Sequence, residues 1–457
     1  MTRVKESNKG PGTTRRDFLK ASTVVTSAAA LGTLGIRSSL FAAGSGRVKI
    51  ALIGCGARGT GAVADCLRVG KNIQLVAVAD VLENKARASL QALEKMDFGG
   101  QINVPEEHIF VGFDAYKKAI ATDIDLALLC APPGFRPVHY RLAIQAGKHA
   151  FLEKPVCVDA PGFRLVMQTN KLADEKSLRV CVGHMFRYSP QSVETVKRIR
   201  QGGIGRLKYL QVYMLWRNMP ICRREPGETE MRYQMRNWRH FVWLSGDLIV
   251  EGGLVHDIDI ANWIIGGYPV EAHGIGGRQR AVGPEFGQLF DHSFIEYTYA
   301  DGTKLFAQER HMPGCWSRQG TVAHGTEGIG GQNIPSGFLS CWGRLKTPFT
   351  GIMGKQKWTY QGPRHSGYRV EHMRLIDAIL NDKELNDGYW GAQSSMTVVL
   401  GRMASYSGQI VKWDEAAEKG PAEFPYDETL TMSSDPPVLP DEKGNYPVAM
   451  PGVYKPY

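Results

Sequence analysis

The chain has 457 residues, 43% hydrophobic and 22% charged, the texture of a soluble globular protein with room for two domains and a tail. Half of its formal charge of +10 sits at the front, where residues 1–43 hold seven Lys/Arg and two Asp/Glu. The remainder has no Lys/Arg run, which excludes a nucleic-acid stripe, and its eight cysteines form no C-x-x-C pair or zinc-spaced cluster, so no metal site is expected.

The first element in chain order is a leader. "TTRRDFLK" places Arg15 and Arg16 before a mildly apolar stretch from Ala21 to Gly35, and small residues follow near Ala42 to Gly44. This order reads as a twin-arginine signal peptide over residues 1–44, too short and too weakly apolar for a stable membrane span. The competing reading is a disordered basic tail. A twin-arginine leader makes the Tat export machinery a partner. It also implies a periplasmic or otherwise exported protein that folds in the cytoplasm first. Cysteines in apolar runs such as "DLALLCAPP" suit such a chain, as small buried hydrophobes.

Residues 45–185 read as a nucleotide-binding domain. "RVKIALIGCGARGTGAVADCL" passes from an apolar strand into Gly54-Cys55-Gly56-Ala57-Arg58-Gly59 and then a helix. In G-x-G-x-x-G the first glycine permits the tight turn, the second admits the pyrophosphate, and the third lets helix pack on strand. The strand "IQLVAVAD" ends at Asp80, whose carboxylate suits the adenosine ribose and repels a 2′-phosphate. That favours NAD over NADP; the alternative is a helix N-cap. Strands and helices then alternate through "IDLALLCAPP", "HAFLEKP" and "LRVCVGH". The pattern predicts a doubly wound parallel sheet with Pro132, Glu153, Lys154 and His184 beyond its carboxyl ends.

From residue 186 to 415 the texture shifts to longer strands, among them "LKYLQVYMLW" and "HSFIEYTYADGTKLFAQERH". A second α/β domain is expected, for substrate binding and oligomerisation, with a large, mostly antiparallel open sheet covered by helices on one face. The glycine-rich stretch from Gly325 to Gly354 reads as loop. Residues 416–457 read as a Pro-rich tail.

In this order, "GCGARG", "AGKHAFLEKP", "GGLVHDIDIANW", "DGTKL" and "HGTEG" resemble the Gfo/Idh/MocA family, the glucose–fructose oxidoreductase and inositol dehydrogenase relatives, over residues 46 to 415. The resemblance implies an N-terminal Rossmann domain and an NAD(P)-dependent oxidoreductase acting on a sugar, polyol or glycoside hydroxyl. It implies cofactor contacts at Gly54, Gly56, Ala57, Arg58, Gly59, Asp80, Pro132, Glu153 and Lys154. The catalytic set carried over is Lys154 of the E-K-P motif, reaching the reacting carbinol, with His256 and Asp259. On a helix, His256, Asp259, Ile260 and Trp263 share one face, and Leu254, Ile258, Ala261 and Ile265 form the opposite stripe. An imidazole there suits removal of the hydroxyl proton. Arg187, Tyr188, Arg236, Trp238, His256 and His311 are candidates to grip a polar substrate.

The chain departs from the family at Gly252, where many relatives carry an aspartate four residues before the histidine. Glu251 substitutes, or Asp259 alone orients the imidazole, or the proton relay is built differently. An exported protein also has no cytoplasmic pool with which to exchange its nucleotide, so tightly held, internally recycled NAD is expected. That leaves alternate oxidation and reduction of two substrates, or a redox-neutral glycosidase or lyase working through a transient keto-sugar. A non-catalytic nucleotide-bound sensor or scaffold is the reading from another class. A homo-oligomer is expected from the exposed sheet of family members.

Overall fold

The computed structural model describes residues 46–217, 220–334, 349–427 and 429–457. The leader expected over residues 1–44 lies outside these residues, as does Cys341.

The first sheet grows from short apolar runs, almost wholly buried except for the edge strand β3: β1 (Val48–Ile53), β2 (Ile73–Asp80), β3 (Ile109–Val111), β4 (Leu126–Leu129), β5 (His149–Leu152) and β6 (Val180–Val182). Runs buried on both faces favour parallel pairing with covering helices. The strands pair in parallel in the order β3-β2-β1-β4-β5-β6. The order reverses between β1 and β4, which opens a crevice beyond their carboxyl ends. Helix α1 (Ala57–Leu67) follows β1, and α2 (Arg136–Gln145) follows β4.

The second sheet has nine strands in the order β14-β13-β12-β11-β7-β10-β9-β8-β15. At its centre lie β7 (Leu207–Trp216), β10 (Lys304–His311) and β11 (Arg318–Gly325), with β8 (Glu271–Gly277) and β9 (His292–Thr298) on one side. The other side holds β12 (Gly328–Ile334), β13 (Phe349–Gly354) and β14 (Trp358–Thr359), and β15 (Val411–Lys412) closes the far edge. Only β7 and β10 run parallel; every other pair is antiparallel. Strict alternation along β10 packs Leu305 and Ala307 under helices and turns Phe306 outward. Ile275 and Phe294 stay exposed on that open face.

The glycine-rich segment read as loop is a pair of strands at both described ends. A Cβ at Gly330 would crowd the Ile199 side chain at 3.0 Å, and one at Gly331 would overlap the Thr321 carbonyl. Both glycines serve close packing, and Gly331 also takes a φ of +152° that side chains rarely adopt. The tail wraps its own chain. Asp159 accepts from the backbone nitrogens of Gly162 (2.8 Å), Glu423 (2.8 Å) and Phe424 (3.0 Å) and from the Tyr426 hydroxyl (2.7 Å). Phe424 then packs edge-on against Phe135.

Among the described residues the seven cysteines are free thiols: Cys55, Cys66, Cys157 and Cys181 are buried, while Cys130, Cys222 and Cys315 are half-buried. No described helix is long and apolar enough to cross a membrane, and no described cluster of His, Cys, Asp or Glu is arranged to hold a metal.

Candidate active site

The three loop glycines answer three different demands. Gly54 turns at φ +97°, and a Cβ on it would overlap the Ala131 backbone nitrogen. A Cβ on Gly59 would overlap the Gly54 carbonyl and press Leu52 and Cys130. Gly56 differs, because nothing lies within 4 Å of where its Cβ would stand. Gly56 and Ala57 are exposed at the N-terminus of α1, where unsatisfied N–H groups and the helix dipole attract phosphate. The cradle therefore fits a dinucleotide. Asp80 accepts from the backbone nitrogens of Cys55 (2.7 Å) and Leu82 (2.9 Å), and Leu82, not Asp80, caps the next helix. Together with Gly54 and Pro132 it lines a small cavity beside Phe113, suited to the adenosine end. Burial raises the Asp80 carboxyl, and the two backbone donors oppose the rise. Gly56→Val is expected to fold with an unchanged melting temperature, yet to weaken NAD binding by about 100-fold in a calorimetric titration.

A cavity of about 470 Å³ opens beyond the strand ends and receives Arg58, Glu153, Lys154, Trp238, His256 and His311. Lys154 is partly buried, and its Nζ donates to the Glu251 carbonyl at 2.8 Å. Burial lowers its pKa, while Glu251 and Glu153 draw it back up. Glu153 pairs with Arg58, Nε to Oε1 at 3.0 Å.

His256 stands in the first turn of α3 (Leu254–Ile265). Burial, then Lys154, His184 and Arg58, hold its pKa well below the ordinary value, so it is a neutral base at neutral pH. Its Nδ1 is buried without a hydrogen-bond partner. The helix is buried nearly all round, Ile260 included, and only Trp263 and Ile265 are partly exposed. Asp257 fastens it to β11 through Thr321 (3.1 Å) and Gln319 (2.8 Å), and burial pushes that carboxyl up to about 7.

Four expected site residues lie off the cavity wall, each held by a partner elsewhere. Asp259 does not touch His256. It takes both Arg187 donors, Nε at 2.7 Å and Nη2 at 2.9 Å, and the Ser394 hydroxyl at 2.6 Å. Its nearest imidazole is His184, 4.0 Å away. Arg187, spent on Asp259, stacks on Trp390 at 4.0 Å. The Tyr188 hydroxyl donates to buried Asp387, and Arg236 pairs with Glu228 (2.8 Å) and Glu225 (2.9 Å). Of the proposed substrate-gripping residues, Trp238, His256 and His311 reach the cavity.

At the departure at Gly252, both residues expected to orient the imidazole, Glu251 and Asp259, are held by other partners. The Glu251 carboxylate pairs with Arg239 at 3.2 Å. A Cβ at Gly252 would overlap the Leu248 carbonyl and stand 3.1 Å from His311 Nε2 and 3.2 Å from Glu309 Oε1. The paired Glu309 and His311, 3.2 Å apart, fill the place of the missing side chain.

Sequence reasoning missed Arg136, Trp216 and Tyr368 on this wall. Buried Arg136 donates to the carbonyls of Leu129 (3.2 Å), Ala131 and Pro155, which ties the loop after β4 to the loop after β5. An arginine in the first turn of a helix runs against the dipole, and that signal was available.

The fold joins a Rossmann-type domain with a dinucleotide cradle to a second domain built on a mostly antiparallel sheet. Residues 48–184 match the Gfo/Idh/MocA oxidoreductase family with an NAD-binding Rossmann fold. Inositol 2-dehydrogenase of Klebsiella pneumoniae (strain 342) is 26% identical over 221 residues, 48% of this chain. The match spans about half of that relative's length, 54%. Aldose-aldose oxidoreductase from Caulobacter crescentus, complexed with glycerol, aligns at a TM-score of 0.60 and 16% identity, over 80% of this chain and 99% of that one. Scyllo-inositol dehydrogenase from Lactobacillus casei, with NAD(H) and scyllo-inositol bound, aligns at 0.58 and 18% identity over the same shares. At such identities the two solved structures establish the fold. NAD is the cofactor of the family's Rossmann domain.

Proposed function

We propose that the protein is an NAD-dependent oxidoreductase acting on a hydroxyl of a sugar, polyol or glycoside. The observation that carries this is the pairing of Lys154 and His256 on one cavity wall next to the nucleotide cradle. When bound, NAD supplies the two-electron acceptor. The Lys154 ammonium, steadied by the Glu251 carbonyl, holds the substrate oxygen and stabilises negative charge developing on it. His256, kept neutral, accepts the hydroxyl proton. Trp238 and Trp216 offer flat apolar faces to a sugar ring. The test is to mix purified protein with NAD and a panel of myo-inositol, scyllo-inositol, glucose and methyl glucosides. Appearance of reduced nicotinamide absorbance with a keto product supports the reading; none across the panel overturns it.

In the finer form of this reading the protein is exported through its leader and keeps and recycles its nucleotide. Periplasmic recovery of the mature chain with NAD bound is the expected result, and cytoplasmic retention would refute it. The pair of Glu309 and His311 favours a second reading, the redox-neutral glycosidase or lyase, which needs a further acid–base group in the same cavity. Net hydrolysis of a methyl glucoside without keto product would select it. A non-catalytic sensor is disfavoured by the same groups: a lysine and an imidazole converging on an open cavity suit catalysis better than nucleotide binding alone.

The open face of the nine-stranded sheet, with Ile275 63% exposed and Phe294 37% exposed, is the surface a second copy would cover. Light scattering is expected to give at least twice the chain mass, and the mass of one chain would exclude the homo-oligomer.

A further inference from the structure

Helix α4 (Gly367–Leu380) belongs to the second half of the chain, yet it packs on α1, the helix that follows the glycine loop. Its start is seated against Met185, since a Cβ on Gly367 would overlap the Met185 carbonyl. Tyr368 lines the same cavity as Arg58 and Lys154. The Arg58 guanidinium lies 4.5 Å from the centre of the Tyr368 ring while its Nε pairs with Glu153. One residue on, Arg369 is exposed, and its Nη2 donates to the Arg68 carbonyl at the end of α1 (3.3 Å). A turn further along, Glu371 is fully buried and neither carboxyl oxygen has a partner. Its charged neighbours are Glu153, Arg58, Asp65 and Asp387, and burial, with Glu153 next, drives that carboxyl toward its neutral form.

These contacts straddle the two halves of the chain at the place where a dinucleotide's phosphates meet the helix N-terminus. We propose that Tyr368 is a residue of the dinucleotide site, and that α4 clasps bound NAD and sets how slowly it leaves. Release then requires the Arg58–Tyr368 stack to part. The inference rests on the NAD reading of the site, and it goes beyond it by assigning nucleotide retention to the second domain.

The test uses the full-length protein loaded with NADH and chased with excess NAD, following loss of bound-nicotinamide fluorescence. Tyr368→Phe keeps the ring and is expected to release NADH at the wild-type rate. Tyr368→Ala is expected to release it about tenfold faster, the loss of one cation–aromatic contact. Arg369→Ala removes the exposed donor that ties α4 to the Arg68 carbonyl, and is expected to speed release about threefold. Unchanged release in Arg369→Ala and Tyr368→Ala would overturn the clasp, and unchanged release in Arg369→Ala alone would do so should Tyr368→Ala fail to fold. Failure of the wild-type chain to bind NADH would instead overturn the nucleotide site, and the clasp with it.

Discussion

Lys154→Met is expected to lower the rate of substrate oxidation by about 10³-fold while leaving NAD affinity within a few-fold of wild type. Methionine keeps the length and much of the volume of the lysine stem but removes the ammonium that meets the Glu251 carbonyl and faces the substrate oxygen. The pH profile makes the test specific. Neutral His256 and protonated Lys154 are the active forms. His256 is depressed by burial and then by Lys154, so the acid limb should lie well below about 6.5. Lys154 is depressed by burial, so the basic limb should lie below about 10.4. In Lys154→Met one cation beside the imidazole is gone. The acid limb should therefore move up, stopping short of about 6.5 because burial persists, and the basic limb should vanish. A variant with wild-type rate, or with an unmoved acid limb, would remove Lys154 from the chemistry.

Arg187→Ala is expected to cost about 3–5 kcal/mol of stability, because it strands the fully buried Asp259 carboxylate. A substrate-gripping arginine would instead raise KM and leave the melting temperature alone. The sign of the pH dependence follows from the pair. Burial alone would raise the Asp259 carboxyl, but Arg187, with His184 and Ser394, holds it below the usual carboxylate range. A depressed carboxyl stabilises the fold above its unfolded value near about 3.9, and that contribution is lost as pH falls through the lower folded value. The gap between wild type and variant in denaturant titrations should thus be widest near neutrality and narrow below about pH 4. An equally stable variant would mean that Arg187 does not carry the Asp259 charge.

Much of the nucleotide cradle was legible in the sequence because its demands are local. A positive φ at Gly54, an open front at Gly56 and a tight seat at Gly59 are set within a few residues of strand and helix. Lys154 was legible through the motif around it, and His256 through the segment that carries it. The substrate contacts were not. Residue type says that an arginine or a buried aspartate needs a partner, but not which one. Arg187 found Asp259, Tyr188 found Asp387 and Arg236 found Glu228, all before any ligand could claim them. Gly330 and Gly331 misled for a related reason, since glycine marks a loop and a crowded strand alike until its neighbours are known.

By itself, then, the sequence determined the order of strands and helices, the doubly wound first domain, the glycine loop and the lysine that reaches into the site. Backbone conformation and apolar periodicity act over a handful of residues and can be read there. Tertiary structure decided which polar groups face the cavity and which neutralise one another. It set Glu309 and His311 in the space a side chain at position 252 would have filled, and it brought Tyr368 over Arg58 from more than 300 positions away. The physical reason is that a buried charge must be paired wherever it lands, and the partner is chosen by the packing of distant segments.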